Sequence, residues 1–276
     1  MKLPAVLDHI VINVRFDMDP AEDLFSALGF TLTPRGRHSM GSINHLMMFG
    51  DDYLELIGVP EADADKRPDV SGVPIGLNGL VFKTDNADET FERLKEHGMA
   101  GDPPKAFSRP LVLSDGSHHE ARFRTVTVPA NAFPAGRLYF CEHGTPELLW
   151  REEWQSHANG VTDFTELMIV CPDPSALAGQ LSALFALETG GEEIAFANGF
   201  RLSFLTADAY ADRFGDLAMV EPDRDAYFGA LGLRCKSPGA LSDALAACGE
   251  RVSVSRGQDS ILAALPSVRT LIRFDG

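Results

Sequence analysis

One unit is written four times along this chain: a short apolar strand, a turn rich in Asp or Pro, an amphipathic helix closed near a Gly, and then more strands. The opening strands are LDHIVINV (7–14), LNGLVFKT (77–84), TELMIVC (165–171) and LGLRCKS (231–237). The helices read PAEDLFSALGF, NADETFERLKEHGM, DPSALAGQLSALFAL and SPGALSDALAACGE, with start signals of Pro or Asp and stop signals of Gly. Closing strands are YLELIGV, RLYFCEH, FRLSFL and TLIRF. Strand, helix and three strands, repeated, predicts an α+β architecture of four βαβββ modules and excludes the strict strand–helix alternation of Rossmann and barrel folds. Two modules per domain follows. The boundaries read as an N-terminal domain over 1–150 (modules 1–59 and 77–150), a linker over 151–163, and a C-terminal domain over 164–276 (modules 164–206 and 228–276). Residues 60–76, rich in Pro, Gly and charge, read as a softer linker inside the first domain.

The first strand raises a chemical question, because an acid and an imidazole, Asp8 and His9, stand at the head of an apolar run. By period-2 alternation His9, Val11 and Asn13 share one face, and on the fourth strand Tyr53, Glu55 and Ile57 do. A carboxylate among apolar neighbours needs a partner. A divalent ion held by His9 and Glu55 supplies one, and a direct His9–Glu55 hydrogen bond without metal supplies another.

Charge narrows the partners. With 40 acidic residues against 24 basic ones the formal charge is −16, the wrong sign for tracking a nucleic-acid backbone or an anionic membrane. No apolar run approaches the roughly 18 residues of a membrane span, and MKLPAVLDHI meets an acid before a signal-peptide core can form. The expectation is a cytoplasmic protein that takes a small-molecule substrate. Cys141, Cys171, Cys235 and Cys248 form no CxxC pair and read as core thiols.

The βαβββ repeat, opened by DHIVI and closed by YLEL, resembles the vicinal oxygen chelate superfamily, which includes glyoxalase I, extradiol dioxygenases and fosfomycin-resistance proteins. More narrowly, the blocks over 29–58 and 140–161 resemble the glyoxalase-like domain proteins of bacteria. The resemblance implies two glyoxalase/bleomycin-resistance/dioxygenase-like domains. It also implies a cup in which side chains of the first and last strands hold a divalent ion such as Zn, Fe(II), Mn, Ni or Mg. It places metal ligands at His9 and Glu55. On the last strand of the second module Glu142 and His143 are adjacent and so face opposite ways, and the narrower family's pattern favours His143 as the third ligand. The position matching His9 in that module falls at Gly79, a departure that puts a full four-ligand site in doubt. In the C-terminal half Glu166, Arg201 and Arg273 occupy the corresponding strands, so that domain reads as degenerate. It completes the fold, covers the cup or makes a homodimer contact.

The implied activity is that of a metal-dependent lyase or isomerase acting on a small oxygenated metabolite that chelates the ion. Two rivals remain: an extradiol-type Fe(II) dioxygenase, whose His, His, Glu ligand order this chain lacks, and a metal-free small-molecule binding or resistance protein. The stretch RGRHSMGSIN matches the narrower family's pattern. It offers Arg35, Arg37, His38 and Asn44, with His38 as general base or substrate contact and Asn44 as a second catalytic candidate. Trp150 and Trp154 either wall a pocket or pack a hinge. His97, His118, His119 and His157 are assigned no ligand role.

Overall fold

The computed structural model describes residues 3–276. The first module runs β1 (Leu7–Arg15), α1 (Met18–Ala27), β2 (Gly36–Arg37), β3 (Ile43–Phe49) and β4 (Asp52–Gly58). After a 3-10 turn over Glu61–Lys66 and the single turn α2 (Pro68–Ser71), the second module follows as β5 (Gly76–Lys83), α3 (Ala87–Glu96), β6 (Lys105–Val112), β7 (His118–Thr127) and β8 (Arg137–His143). The third is β9 (Val161–Val170), α4 (Pro174–Phe185), β10 (Glu193–Ala195) and β11 (Arg201–Leu205), trailed by α5 (Ala207–Phe214). The last is β12 (Tyr227–Cys235), α6 (Pro238–Cys248), β13 (Ser253–Arg256), β14 (Ser260–Leu265) and β15 (Thr270–Asp275).

The expected pairing of modules is what the strands build. One eight-stranded sheet has the order β2-β3-β4-β1-β5-β8-β7-β6, and one seven-stranded sheet has the order β10-β11-β9-β12-β15-β14-β13. In each, the opening strands of two modules meet antiparallel at the centre, β1 with β5 and β9 with β12. The third module departs from the repeat: two strands, not three, follow its helix, and the helix α5 stands where no element was expected. The break between sheets also differs, since β9 begins at Val161, inside the stretch read as linker.

Alternation sorts the first sheet into two faces. Ile10, Ile12, Leu54, Leu56, Leu80 and Phe82 face the helices and the second domain, in a core that both domains share. Phe82 lies 4.4 Å from Phe185 and Phe49 lies 5.2 Å from Phe164, centroid to centroid, so aromatic packing ties the two halves together. The other face carries Val11, Leu46, Tyr53, Ile57, Val81, Phe123 and Cys141 and lines the cup. The sheet curls until its edges touch: Ser39 N–H, just beyond β2, donates to Ser108 O on β6 at 2.8 Å. Residues 60–76 are not a slack linker. Asn13 Nδ2, rising from the cup floor, donates to Val70 O and Pro74 O at 3.0 Å each and pins this segment across the mouth as a roof.

Candidate active site and metal centre

Beneath that roof is a cavity of ≈ 520 Å³, walled by Tyr53, Phe107, Phe123 and Tyr139 and floored by His9 and Glu55. His9 and Glu55 share the concave face as alternation predicts, and His9 Nε2 stands 3.6 Å from Glu55 Oε2. Both are buried. The His9 ring stacks on Tyr53 with centroids 4.4 Å apart, which fixes its plane.

Asp8, the acid at the head of β1, was assigned no role from the sequence. Strict alternation would send it to the helix side, opposite His9. A β-bulge intervenes: the register with β5 jumps between Leu7, opposite Phe82, and His9, opposite Val81. An extra residue opposite one partner bends the strand and re-aims a side chain, so Asp8 turns into the cup beside His9. Its Oδ2 lies 2.7 Å from His9 Nδ1, and both oxygens lie 3.0 Å from His143 Nε2. Burial opposes ionisation of Asp8, but the neighbouring imidazoles, His143 foremost, outweigh it and hold the carboxyl well below the usual range. An ionised Asp8 only accepts, so Nδ1 of His9 carries a proton and Nε2 is the ring nitrogen that faces Glu55 and Tyr139.

The three expected ligands split into two groups. His143 lies on the concave face of β8, while Glu142 points to the helix side, where its Oε2 accepts from Ala87 N–H at the start of α3. Yet His143 reaches Asp8, not Glu55. Among the described residues, the group of acid, thiol and imidazole donors whose ligand atoms all lie within 4.8 Å of one another is Asp8, Cys141 and His143, a candidate metal centre of O, S and N donors. The thiol of Cys141 is pushed well up by burial, so a cation there must displace its proton. His9 and Glu55 form a second donor pair on the other side of the His9 ring.

Only a pair remains there for a physical reason. In the first module Glu55 lies two residues past Tyr53, the β4 partner of His9; in the second, Tyr139 lies two residues past Arg137, the β8 partner of Gly79. The four positions related by the internal repeat are therefore His9, Glu55, Gly79 and Tyr139. A Cβ at Gly79 would sit 2.7 Å from Val11 Cγ2, so no ligand fits there. Tyr139 fills the fourth position, its hydroxyl 3.1 Å from His9 Nε2. Burial raises its pKa well above the ordinary value, so it stays a protonated phenol.

Asn44 and His38 lie on the rim of the same cavity. Asn44 Nδ2 donates to Glu55 Oε1 at 2.7 Å and holds the carboxylate's orientation. His38 Nδ1 is 2.9 Å from Ser42 Oγ, and its Nε2 is 3.4 Å from Asn44 Nδ2. The premise that His38 titrates near neutrality gives way: burial, then the cations of Arg109 and Arg67, push its pKa down to about 3. It is a neutral hydrogen-bonding wall at working pH and a weak base. Arg35 faces α1, where it meets Asp19 and Glu22, and takes no part. Trp150 packs 4.8 Å from His143 and 5.9 Å from Tyr53, behind the site, whereas Trp154 is buried in the cup's apolar cluster.

Two basic residues of this cavity also escaped the sequence reading. Arg67 comes from the roof, paired with Asp69 through two hydrogen bonds and touching Ser42. Arg109 comes from β6, where it interrupts the alternation of Phe107 and Leu111; a basic residue at an apolar position was the available signal.

Comparison with known proteins fits this geometry. The family model described as a glyoxalase-like domain matches residues 7–185. A search of curated proteins gives no significant match. Among solved structures, a hypothetical protein from Staphylococcus aureus superposes with TM-score 0.62 at 10% identity, covering 98% of each chain. A mutant of 4-hydroxymandelate synthase from Streptomyces coelicolor gives 0.54 at 15% identity, over 98% of this chain and 92% of its own. A fusion of a xylose isomerase-like TIM barrel with 4-hydroxyphenylpyruvate dioxygenase gives 0.56 at 14% identity, over 99% of this chain and 49% of its own. At these identities the likeness is one of fold.

Proposed function

Because the chain belongs to the glyoxalase-like domain family, within the vicinal oxygen chelate superfamily, we propose that it is a metal-dependent enzyme that lyses or isomerises a small oxygenated metabolite in the N-terminal cup. The observation that carries this reading is the His9–Glu55 pair. An imidazole whose tautomer Asp8 sets and a carboxylate that Asn44 orients stand 3.6 Å apart at the floor of a ligand-sized cavity. That donor set fits a divalent cation with two protein ligands and leaves the remaining positions to water and substrate. When bound, the ion supplies Lewis acidity to neighbouring substrate oxygens.

The chain's own residues do the rest. Asp8 keeps the Nδ1 proton of His9 in place. Asn44 leaves only Oε2 of Glu55 free to face the substrate. Tyr139 offers a phenolic proton at the cavity floor, and Tyr53, Phe107 and Phe123 keep water away from it. A second reading, a metal-free binding protein, is favoured by Gly79 and Tyr139, which leave half of the repeat-related positions without a conventional ligand.

Metal analysis of protein purified without a histidine tag tests the proposal. Near-stoichiometric divalent metal in the wild type, lost in His9→Ala and Glu55→Ala but kept in Cys141→Ser, is the expected pattern. The reverse pattern moves the ion to Asp8, Cys141 and His143, and a metal-free wild type removes metal-dependent chemistry. Anaerobic iron loading followed by a catechol and oxygen separates ring cleavage from redox-neutral chemistry.

A further inference from the structure

Arg109 is 0% exposed, and its Nε and both terminal nitrogens have no hydrogen-bond partner. No carboxylate pairs with it: Glu55, the acid nearest in electrostatic effect, is engaged by Asn44 and faces His9. A guanidinium stays charged in a protein, and a buried charge without a partner is among the costliest arrangements a fold carries. Nevertheless the surroundings are shaped to keep it. A Cβ at Gly36, on β2, would fall 2.5 Å from Arg109 Nη1 and 2.2 Å from Asn44 Oδ1, so the backbone is bare where the guanidinium lies. Asn44 Oδ1 is a buried acceptor without a partner as well.

The field in the cavity has the same sense. In a chain of formal charge −16, the cavity is lined by five basic residues against the acids Glu55 and Asp69. Low-dielectric walls focus such a field on ligands of opposite sign. Arg67 and Arg137 share Asp69, and the exposed Lys66 and Lys105 pair with Asp63 and Asp102, so Arg109 is the fully buried cation left without any partner, and it calls for a monoanion. The apolar rings of Phe107 and Phe123, stacked 5.1 Å apart beside it, call for an apolar body.

We infer that the cavity binds a small organic monoanion whose carboxylate sits on the fork of Arg109 and whose apolar part lies against Phe107 and Phe123. The inference rests on the proposed function only in placing the ligand in the same cup, and it names the substrate class for it. The planar fork suits a carboxylate through two parallel N–H···O bonds.

Calorimetric titration of the full chain with phenylacetate and butyrate, against the neutral phenylacetamide and butyramide, tests it. The acids bind about 10- to 100-fold more tightly than their amides, the range expected for charge-assisted bonds in a buried site. Arg109→Met abolishes that preference, and without ligand it melts higher than the wild type, because an uncompensated charge has gone. Arg109→Lys, which keeps the charge and loses the fork, retains part of the preference. Equal binding of acid and amide, no binding of either acid, or a preference that survives Arg109→Met overturns the inference. A preference that persists after chelation and in His9→Ala upholds it even where the metal reading fails. Bound metal without any preference for the acids leaves the metal reading standing and overturns this one.

Discussion

The two sheets of this molecule are built from the same paired modules, one strand fewer in the second, and treat buried charge in opposite ways. In the C-terminal sheet Glu166 is buried, but Arg273 Nη1 meets it at 2.8 Å, Arg201 at 3.8 Å, and Ser203 donates to it. The space that would be a cavity holds α5, whose Tyr210 and Phe214 pack on Met168, Val170 and Tyr227. Tyr210 Oη donates to Gly229 O at 2.7 Å and accepts from Met219 N–H at 3.0 Å, which ties the plug down. The N-terminal sheet has no such plug. There the roof of 60–76 spans a cavity, Arg109 has no counter-charge, and His9 and Glu55 stand apart. One half meets its buried charge with counter-charges of its own, and the other leaves the whole Arg109 guanidinium unpaired for something that binds. Sites that hold unsatisfied groups sacrifice stability for function.

Breaking the C-terminal ion pair is the harshest test of this contrast. Glu166→Ala takes the buried partner from Arg273, which keeps Asp275, and from Arg201, which keeps Glu193, and should destabilise the chain by about 1.5–3 kcal/mol in denaturant unfolding, while metal content stays at the wild-type level. Asp8→Asn acts on the other half: the fold persists, but divalent-metal affinity, measured by competition with a chelator, falls by about 10- to 100-fold as the orienting carboxylate loses its charge. Tyr210→Phe loosens the plug and should cost about 1–3 kcal/mol. Should it instead open a ligand site in the C-terminal cup, the contrast rests on α5 alone.

A pH-dependent effect lies between the halves, at Asp52. Burial, then the repulsion of Asp163, raises its pKa to about 8. Between the ordinary carboxylate range and pH 8 the folded chain therefore holds a proton that the unfolded chain releases, so stability drains away as pH rises through that window. Asp52→Asn should leave the melting temperature near the wild-type value at pH 5 and raise it at pH 8.5.

The sequence made the sheets legible because strand alternation and helix punctuation are local properties, and four copies reinforce one another. His9 and Glu55 were readable for the same reason, each lying on the face its spacing assigns, whereas Asn44 was legible only through the motif that resembles the family's. What escaped was non-local or irregular. The bulge at Asp8 breaks alternation without leaving a Gly or Pro to mark it. Arg109 becomes meaningful only once β2 and β6 meet across the cup. Residues 60–76 have the composition of a linker, and it is the hydrogen bonds from Asn13 that make them a roof. His38 matched a motif, yet its acidity is set first by burial and then by two cations that arrive from other elements. The helix α5 lies between two modules, where the repeat itself gave no reason to look.

The bulge in β1 carries a genetic consequence. Point substitutions at position 8 change which group sits beside His9 but keep the position facing inward. Loss of a single codon there would restore strict alternation and leave the residue preceding His9 on the far side of the sheet. The Asp8–His9 partnership is thus a creature of insertion and deletion, and lineages that gained or shed it should differ in strand length before they differ in composition.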